Sequence, residues 1–175
     1  MPTPGWFLKT NKFPWTECQT INLSIGQGAL QASPLQLAVA YSALVNGGKV
    51  VRPHLADALL KNGNVERLRF PPARKLKLVD AQAIRQGLYM AAHDPGGTSS
   101  FVFGTFPIPV AGKTGTAETC HGCDDHSWYA SWAPYTHPKI VVVAMIEHGG
   151  FGASAAAPTV KEIYQAFFHV KSTTP

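Results

Sequence analysis

Three predicted strands lie close together in residues 110–148, which read VAGKTGTAETCHGCDDHSWYASWAPYTHPKIVVVAMIEH. The first is Val110–Ala117, and the second, Trp128–Ala133, alternates aromatic and small residues. The third, Lys139–His148, carries a continuous apolar run that is typical of a strand buried on both faces. A tight connection at Tyr135–Pro138 joins the second strand to the third. We therefore predict a sheet of three consecutive antiparallel strands.

Helical patterns lie on both sides of these strands. Ser33 followed by Pro34 is a helix-start signal, and the apolar residues that follow predict a helix over about residues 34–46 that is buried nearly all round. Val79–Ala92 and a terminal segment that starts at Pro158 are the other predicted helices. We predict a strand at Val50–Leu60 and a second at Val65–Arg69, joined by a turn that contains Asn62-Gly63. The predicted fold class is α+β, an antiparallel sheet with flanking helices.

Composition and charge exclude several classes of protein. Hydrophobic residues make up 45% of the chain and charged residues 14%, which is a folding composition. The net charge of +5 is scattered and lacks the basic stripe with aromatics that nucleic-acid binding requires. The longest apolar run, Ile140–Ile146, is too short to span a bilayer, and the N-terminus does not resemble a signal peptide. We expect residues 1–20 to be an irregular lead-in, residues 21–170 to form the folded part and residues 171–175 to be a tail.

Residues 111–118, AGKTGTAE, carry the predicted chemistry. A phosphate-binding loop needs GxxxxGK[ST] between a strand and a helix, and this segment has neither the spacing nor the context. On a strand, Lys113 and Gly115 lie on one face, and Thr114 and Thr116 lie on the other. A ligand could pair with the backbone beside Gly115, while the lysine charge and the threonine donors hold a carboxylate or an oxyanion. The pattern suits acyl transfer on a peptide with a free carboxylate. An ordinary strand with an exposed lysine is the alternative.

Several short segments occur in the order and approximate spacing of a known family. In the first of them, Asn22–Gly28, two glycines flank Gln27 and indicate a turn or a close approach. The others are Ser33-Pro34, Asn46–Gly48, Val51–Pro53, Gly96–Thr98, Ala111–Glu118, Asp125–Trp128, Ala133–Tyr135 and Glu147–Gly149. With this combination the chain resembles the C-terminal part of the transpeptidase domain of class B penicillin-binding proteins, especially the elongation-type, penicillin-binding protein 2-like branch. The resemblance implies the fold shared with serine β-lactamases and the cross-linking of peptidoglycan stem peptides by serine acyl transfer.

The resemblance also implies roles for the residues of the Lys-Thr-Gly motif. Lys113 would be the catalytic lysine, and Thr114, Gly115 and Thr116 would bind the substrate. The backbone N–H of Thr116 would form half of the oxyanion hole. The family's SxxK nucleophile motif and its SxN motif do not occur in this sequence. We therefore expect a segment that lacks the N-terminal portion of the domain and is inactive alone, because acyl transfer needs an activated nucleophile. We also expect exposed apolar surface on the Ser33–Val45 helix and on the strands, and an unstable or oligomerising product.

Ligands, partners and location are implied by the same resemblance. The expected ligands are stem peptides and β-lactams, and no cofactor is expected. The expected partners of the parent protein are membrane proteins of the elongation machinery, and its expected location is the extracytoplasmic side of the bacterial cytoplasmic membrane. Two alternatives stay open. One is a β-lactam-sensing domain, which shares the fold and binds covalently without turnover. The other is a non-catalytic interaction domain of the cell-elongation machinery.

A Cys/His segment after the motif departs from the family's usual loop. Cys120, His121, Cys123 and His126 could supply the ligands of a tetrahedral zinc site, or the two cysteines could form a disulfide or redox pair or remain free thiols. The location that the resemblance implies favours the disulfide. We predict that His126 packs near the cleft rather than binding a metal. The third cysteine, Cys18, is distant in sequence.

Overall fold

The structure, a computed structural model, describes residues 2–119 and 122–171. Six helices and seven strands occur in these two ranges. In chain order they are α1 (Pro4–Asn11), α2 (Glu17–Ser24), α3 (Pro34–Val45), β1 (Lys49–Val50), β2 (Ala58–Lys61), β3 (Asn64–Arg67), β4 (Arg74–Lys75), α4 (Ala81–His93), α5 (Ser100–Phe103), β5 (Ala111–Ala117), β6 (His126–Ala133), β7 (Ile140–Ile146) and α6 (Ala156–Phe168). None of the helices in the described ranges has both the length and the apolar character needed to cross a bilayer.

The main sheet has the strand order β5-β6-β7 and is antiparallel throughout, as predicted. β6 is the middle strand, so that Ala130 pairs with Lys113 on one side and with Val143 on the other. The predicted hairpin forms between β2 and β3 and turns at Asn62 and Gly63, whose φ angles are 50° and 80°. Two successive left-handed residues are what a two-residue Asn-Gly turn requires. The α+β fold class is confirmed.

Helix α3 begins where the sequence predicts. Ser33 N donates to Gln36 Oε1 at 2.8 Å, and Gln36 N donates to Ser33 Oγ at 3.2 Å, which forms a capping box ahead of Pro34. The helix packs against β6 and β7. Only one of its faces is covered, and Leu35 remains 59% exposed. The prediction that this helix is buried nearly all round is therefore wrong, whereas the exposed apolar surface expected on it is present.

The predicted irregular lead-in is also wrong, because residues 2–20 contain α1 and the start of α2. Thr3 Oγ1 accepts a hydrogen bond from Trp6 N at 3.2 Å and caps α1. Phe7 of that helix is buried against Phe13 and Trp15, whose ring centroids lie 5.1 and 5.2 Å from the ring centroid of Phe7. Local capping and this aromatic cluster stabilise a segment in which hydrophobic periodicity alone indicates no helix.

The strand predicted at Val50–Leu60 is divided in the structure. Its ends form β1 and β2, and β1 pairs with β4 whereas β2 pairs with β3. Pro53 lies in the extended coil between them. Proline has no N–H for a strand ladder, so a continuous strand through this position is disfavoured.

The core lies between the main sheet and α4, α5 and α6. Tyr129 of β6 is fully buried, stacks on Phe103 at 5.3 Å and shares a hydrogen bond of 3.0 Å with Ser99 Oγ. Tyr164 of α6 is likewise buried, and its hydroxyl lies 2.8 Å from Ser131 Oγ. Burial raises the pKa of both tyrosines well above the ordinary value. Each hydroxyl has a partner, so these large rings are buried without an unsatisfied polar group.

Gly112 in β5 has no room for a side chain. A Cβ there would lie 2.6 Å from Ser131 Cβ and 2.7 Å from Tyr129 Oη, both of which are fully buried. We expect Gly112→Ala to lower the free energy of unfolding by about 1–3 kcal/mol, because the core must shift to accept the methyl group. Urea unfolding followed by circular dichroism measures this change.

Gly87→Ala is the matched control for this prediction. Gly87 lies within α4, and a Cβ there would meet no atom within 4 Å. Replacing a helical glycine by alanine in open space should raise the free energy of unfolding by about 0.5–1 kcal/mol. The same substitution therefore has opposite signs at the two sites, and equal effects would contradict the packing explanation.

Candidate functional site

An open cleft of about 1390 Å³ runs along the outer edge of β5. Its walls come from β5, from the neighbouring strand β6, from α3 and from the segment that follows α2. All four predicted site residues line it, and they are Lys113, Thr114, Gly115 and Thr116. The sequence motif and this cleft therefore coincide.

Lys113 and Gly115 lie on the cleft face of β5. Lys113 is exposed, and its Nζ donates to Thr114 O and to Thr114 Oγ1, both at 3.1 Å. Gly115 is paired with Trp128, and a Cβ on Gly115 would lie 3.1 Å from Trp128 Cβ. Because residue 115 is glycine, no side chain separates its backbone from the cleft, and Lys113, two residues earlier in β5, places a positive charge on the same face.

The two threonine hydroxyls of the motif have different environments. Thr114 Oγ1 accepts from Lys113 at the strand edge. Thr116 Oγ1 accepts a long hydrogen bond of 3.4 Å from Gly152 N, on the face of the sheet that carries α6. The backbone of Gly152 lies against that face so closely that a Cβ on it would be 2.4 Å from Gly115 O. Contact of each hydroxyl with a ligand carboxylate stays a prediction.

Gln27 reaches β5 from a segment that is distant in sequence. Its Nε2 donates to Thr116 O at 3.0 Å across a separation of 89 residues. The glycines on either side adopt left-handed backbone, with φ of 79° at Gly26 and 74° at Gly28. The sequence indicates that this segment turns or approaches something closely, and the structure identifies the group approached as the motif strand.

Aromatic residues form part of the cleft wall. Tyr41 of α3 lines the cleft and packs edge-to-face on Trp132, with ring centroids 6.1 Å apart. Burial raises the pKa of Tyr41 to about 12. Trp128 also lines the cleft and is half-buried. Sequence reasoning misses Tyr41, because its spacing within an apolar helix is that of an ordinary core residue.

The Cys/His segment borders the same cleft. Cys123 is disulfide-bonded. Of the three predicted states of this cysteine, the disulfide therefore agrees with the structure, and the zinc-bound and free thiols do not. Cys120 and His121 lie outside the described residues. His126 lines the cleft, as predicted, and its Nδ1 accepts from His148 N at 3.1 Å. Within residues 2–119 and 122–171, no three His, Cys, Asp or Glu residues are grouped so that they could hold a metal ion. Cys18 is an exposed free thiol.

Comparison with known proteins identifies the class to which this fold and cleft belong. Residues 3–165 match the family described as the penicillin binding protein transpeptidase domain. The chain therefore belongs to the penicillin-binding protein transpeptidase family, and its relatives place it with the penicillin-binding protein 2 (MrdA) type. It has the penicillin-binding transpeptidase fold predicted from the sequence.

Three similar proteins illustrate the match. The peptidoglycan D,D-transpeptidase MrdA of Haemophilus influenzae is 34% identical over 188 residues, which cover 97% of this chain and 29% of that protein. The structure of Pseudomonas aeruginosa PBP2 in complex with WCK 5153 has a TM-score of 0.81 at 34% identity and covers 95% of this chain and 36% of that one. The complex of PBP2 and MreC from Helicobacter pylori has a TM-score of 0.79 at 26% identity, and the match covers 97% of this chain and 31% of that one. The chain thus spans about a third of the length of these proteins.

The raised pKa of Tyr41 predicts a loss of stability at alkaline pH. Its folded-state pKa of about 12 lies above the ordinary value of 10.0, so the stability is fully present below pH 10 and is lost as the pH rises through 12. Between pH 8.5 and pH 11, we expect the free energy of unfolding of Tyr41→Phe to fall by about 1 kcal/mol less than that of the wild type. Urea unfolding at the two pH values tests this. Equal losses in both proteins would show that Tyr41 ionises as freely in the folded chain as in the unfolded one.

Proposed function

We propose that this chain is the Lys-Thr-Gly-bearing segment of a peptidoglycan D,D-transpeptidase that cross-links stem peptides by serine acyl transfer. One observation carries the proposal: Lys113 and the open edge of β5 face a single cleft. A fixed charge beside a strand edge suits a peptide that binds in extended form and ends in a carboxylate. The match of this chain to the D,D-transpeptidase MrdA supports the same chemistry.

Lys113 is the residue that we assign to catalysis. Its ammonium group attracts the ligand carboxylate and can move a proton to or from groups of the reacting centre. It is held at the strand edge by two acceptors of Thr114, both 3.1 Å away, so its position is defined before a ligand arrives. A charge that is already in place needs little reorganisation during the reaction.

Thr114, Gly115 and Thr116 are the residues that we assign to substrate binding. The backbone at Gly115 is open to the cleft, which allows a peptide to lie flat against β5. The N–H of Thr116 donates to the carbonyl oxygen of the reacting group, which becomes an oxyanion in the tetrahedral intermediate. The threonine hydroxyls are further donors for the carboxylate.

The covalent step needs groups beyond those of this sequence. No Ser-x-x-Lys and no Ser-x-Asn segment occurs in the 175 residues. A serine that attacks a peptide carbonyl must have a base beside it. We therefore propose that the chain alone binds its ligands without forming an acyl-enzyme.

Ligands, location and partners follow from the same proposal. Stem peptides and β-lactams compete for the cleft, no cofactor takes part, and the parent protein works on the extracytoplasmic side of the cytoplasmic membrane. The disulfide at Cys123 suits such an oxidising location. Membrane proteins of the elongation machinery are the proposed protein partners, and the solved complex of PBP2 and MreC from Helicobacter pylori supports a protein partner at a coarse level.

The first test is to sequence the genomic DNA immediately upstream of the Met1 codon. An in-frame Ser-x-x-Lys, followed by Ser-x-Asn and preceded by one membrane segment, supports the transpeptidase. A stop codon without these motifs contradicts the enzymatic role and favours the non-catalytic interaction domain. A signalling membrane segment in place of a single anchor would favour the β-lactam-sensing domain.

The second test measures covalent labelling by a fluorescent penicillin on denaturing gels. We expect no labelled band for the 175-residue chain and a strong band for the product of the longer reading frame. In that product, Lys113→Ala should lower the acylation rate constant by about 100-fold, because a positioned charge is lost. Lys139→Ala, at an exposed lysine that does not line the cleft, is the matched control and should leave the rate unchanged. Equal rates for both variants would remove Lys113 from the catalytic machinery.

A further inference from the structure

The net positive charge of this chain lies on one exposed part of the fold, residues 49–78, which contain β1 to β4 and which we call the basic arm. It holds eight of the 15 lysine and arginine residues and two of the 10 acidic residues, a balance of +6. The rest of the chain has seven basic and eight acidic residues, a balance of −1. Clusters that are scattered along the sequence therefore belong to one surface. Its basic residues, all of them exposed, are Lys49, Arg52, Lys61, Arg67, Arg69, Arg74, Lys75 and Lys77.

The two ends of the basic arm are tied together beside α3. Leu76 N donates to Gly48 O at 2.8 Å, and β4 pairs with β1. β1 packs against α3, whereas β2 and β3 pack mainly against each other. No residue in 49–78, all of which the structure describes, is fully buried. A two-stranded hairpin with so little support is marginally stable in water, so the basic arm suits a surface that a partner covers.

Like charges on the basic arm lie next to one another. Lys49 is directly opposite Lys75 in the β1–β4 ladder, and Arg74 is the neighbour of Lys75. Like charges that face each other destabilise a strand pair. Within the described residues, the ion pair on this arm joins Arg67 Nη1 to Asp57 Oδ2 at 2.9 Å, and the other basic side chains have no carboxylate partner. An anionic partner would relieve the repulsion, most strongly at low ionic strength.

Apolar side chains are interleaved with these charges on both faces of the β2–β3 hairpin. Leu60 pairs with Val65 on one face, and Leu59 pairs with Glu66 on the other. The exposed fractions are 77% for Leu60, 69% for Val65 and 51% for Leu59. A bilayer surface or an amphipathic helix takes up one continuous apolar face, which this hairpin does not have. The arrangement instead suits a partner in which apolar and anionic groups alternate.

An exposed aromatic pair lies among the charges. His54 stacks on Phe70 with ring centroids 3.6 Å apart, and both side chains are exposed. Phe70 directly follows Arg69 in the sequence. The apolar face of a sugar ring can pack on an aromatic ring, and carboxylates bind arginine and lysine through charge-assisted hydrogen bonds. The basic arm therefore offers both kinds of contact that a polymer of sugars and carboxylate-bearing peptides can use.

We propose that the basic arm is a docking surface for the polyanionic polymer of glycan and peptide to which the stem peptides belong. The identity of this partner rests on the proposed function, but the surface is separate from the catalytic cleft, whose lining residues lie outside 49–78. Tyr41 of α3 lines the cleft, and β1 begins four residues after the end of the same helix. A polymer bound to the arm therefore keeps its stem peptides near the cleft, which raises their effective concentration.

The test measures binding of the 175-residue chain to purified peptidoglycan sacculi by cosedimentation. We expect Arg74→Glu combined with Lys75→Glu to weaken binding by about 10-fold or more, because two attractive charges become repulsive. Residue 75 faces Lys49, so the reversal replaces a repulsive pair in the ladder with an attractive one.

The matched control reverses two exposed lysines outside the arm and the cleft lining, Lys139→Glu combined with Lys171→Glu. It changes the net charge by the same amount and should alter binding by less than about 2-fold, since the surrounding salt screens distant charges. Equal losses in the two variants would show that net charge alone decides, and they would overturn the proposal.

The chemistry of the partner is tested on the wild type, so this measurement does not depend on the folding of a variant. Amidating the carboxylates of the sacculi should weaken binding by about 10-fold or more, and so should raising NaCl from about 50 to about 300 mM. Vesicles of phosphatidylglycerol and phosphatidylcholine supply an anionic lipid surface and should bind more weakly than the sacculi. Tighter binding to the vesicles, or full binding to amidated sacculi, would overturn the proposal.

Failure of this inference and failure of the proposed function give different results. An excess of acetyl-D-alanyl-D-alanine, which competes for the cleft, should leave the chain bound to the sacculi. If the dipeptide releases the chain, the cleft holds the polymer, so only the docking surface fails. If the longer product forms no penicillin adduct while the Arg74 and Lys75 reversal still releases the chain from sacculi, the enzymatic function fails and the docking surface stands.

Discussion

The packing of Tyr129 against Gly112 is the contact on which the sheet and its cleft depend. The buried ring of Tyr129 stacks on Phe103, and its hydroxyl is 3.0 Å from Ser99 Oγ, so it cannot shift without breaking both contacts. Its oxygen lies 2.7 Å from the position that a Cβ of residue 112 would take, so β5 can lie this close to the ring only with glycine there. Lys113 is the next residue. The position of the charged group in the cleft is therefore set by close packing on the opposite face of the same strand.

The chemistry of the cleft depends on which backbone groups of β5 remain available. An unpaired strand edge invites pairing with any extended chain. Here Lys113 Nζ donates to Thr114 O and Gln27 Nε2 donates to Thr116 O, so side chains of this chain occupy both carbonyls.

Local patterns predicted those elements whose signals lie within a few residues. The capping box at Ser33, the Asn62-Gly63 turn and the three-stranded antiparallel sheet form as expected. Two of the wrong predictions share one cause, which is packing between segments. α1 follows from a cluster around Phe7 that no periodicity shows. The exposed face of α3 depends on how much of that helix the sheet covers. The spacing of its apolar residues does not show this.

For the site, the residue types and the strand that carries them can be read from the sequence. The motif on β5, with Lys113 and Gly115 on one face, follows from spacing alone because side chains alternate along a strand. The contact of Gln27 with Thr116 across 89 residues, and the place of Tyr41 in the same cleft wall, come from the three-dimensional fold. Contacts of this kind depend on how distant segments pack in three dimensions. Local propensity and periodicity report the conformation of each segment but not the segment against which it packs.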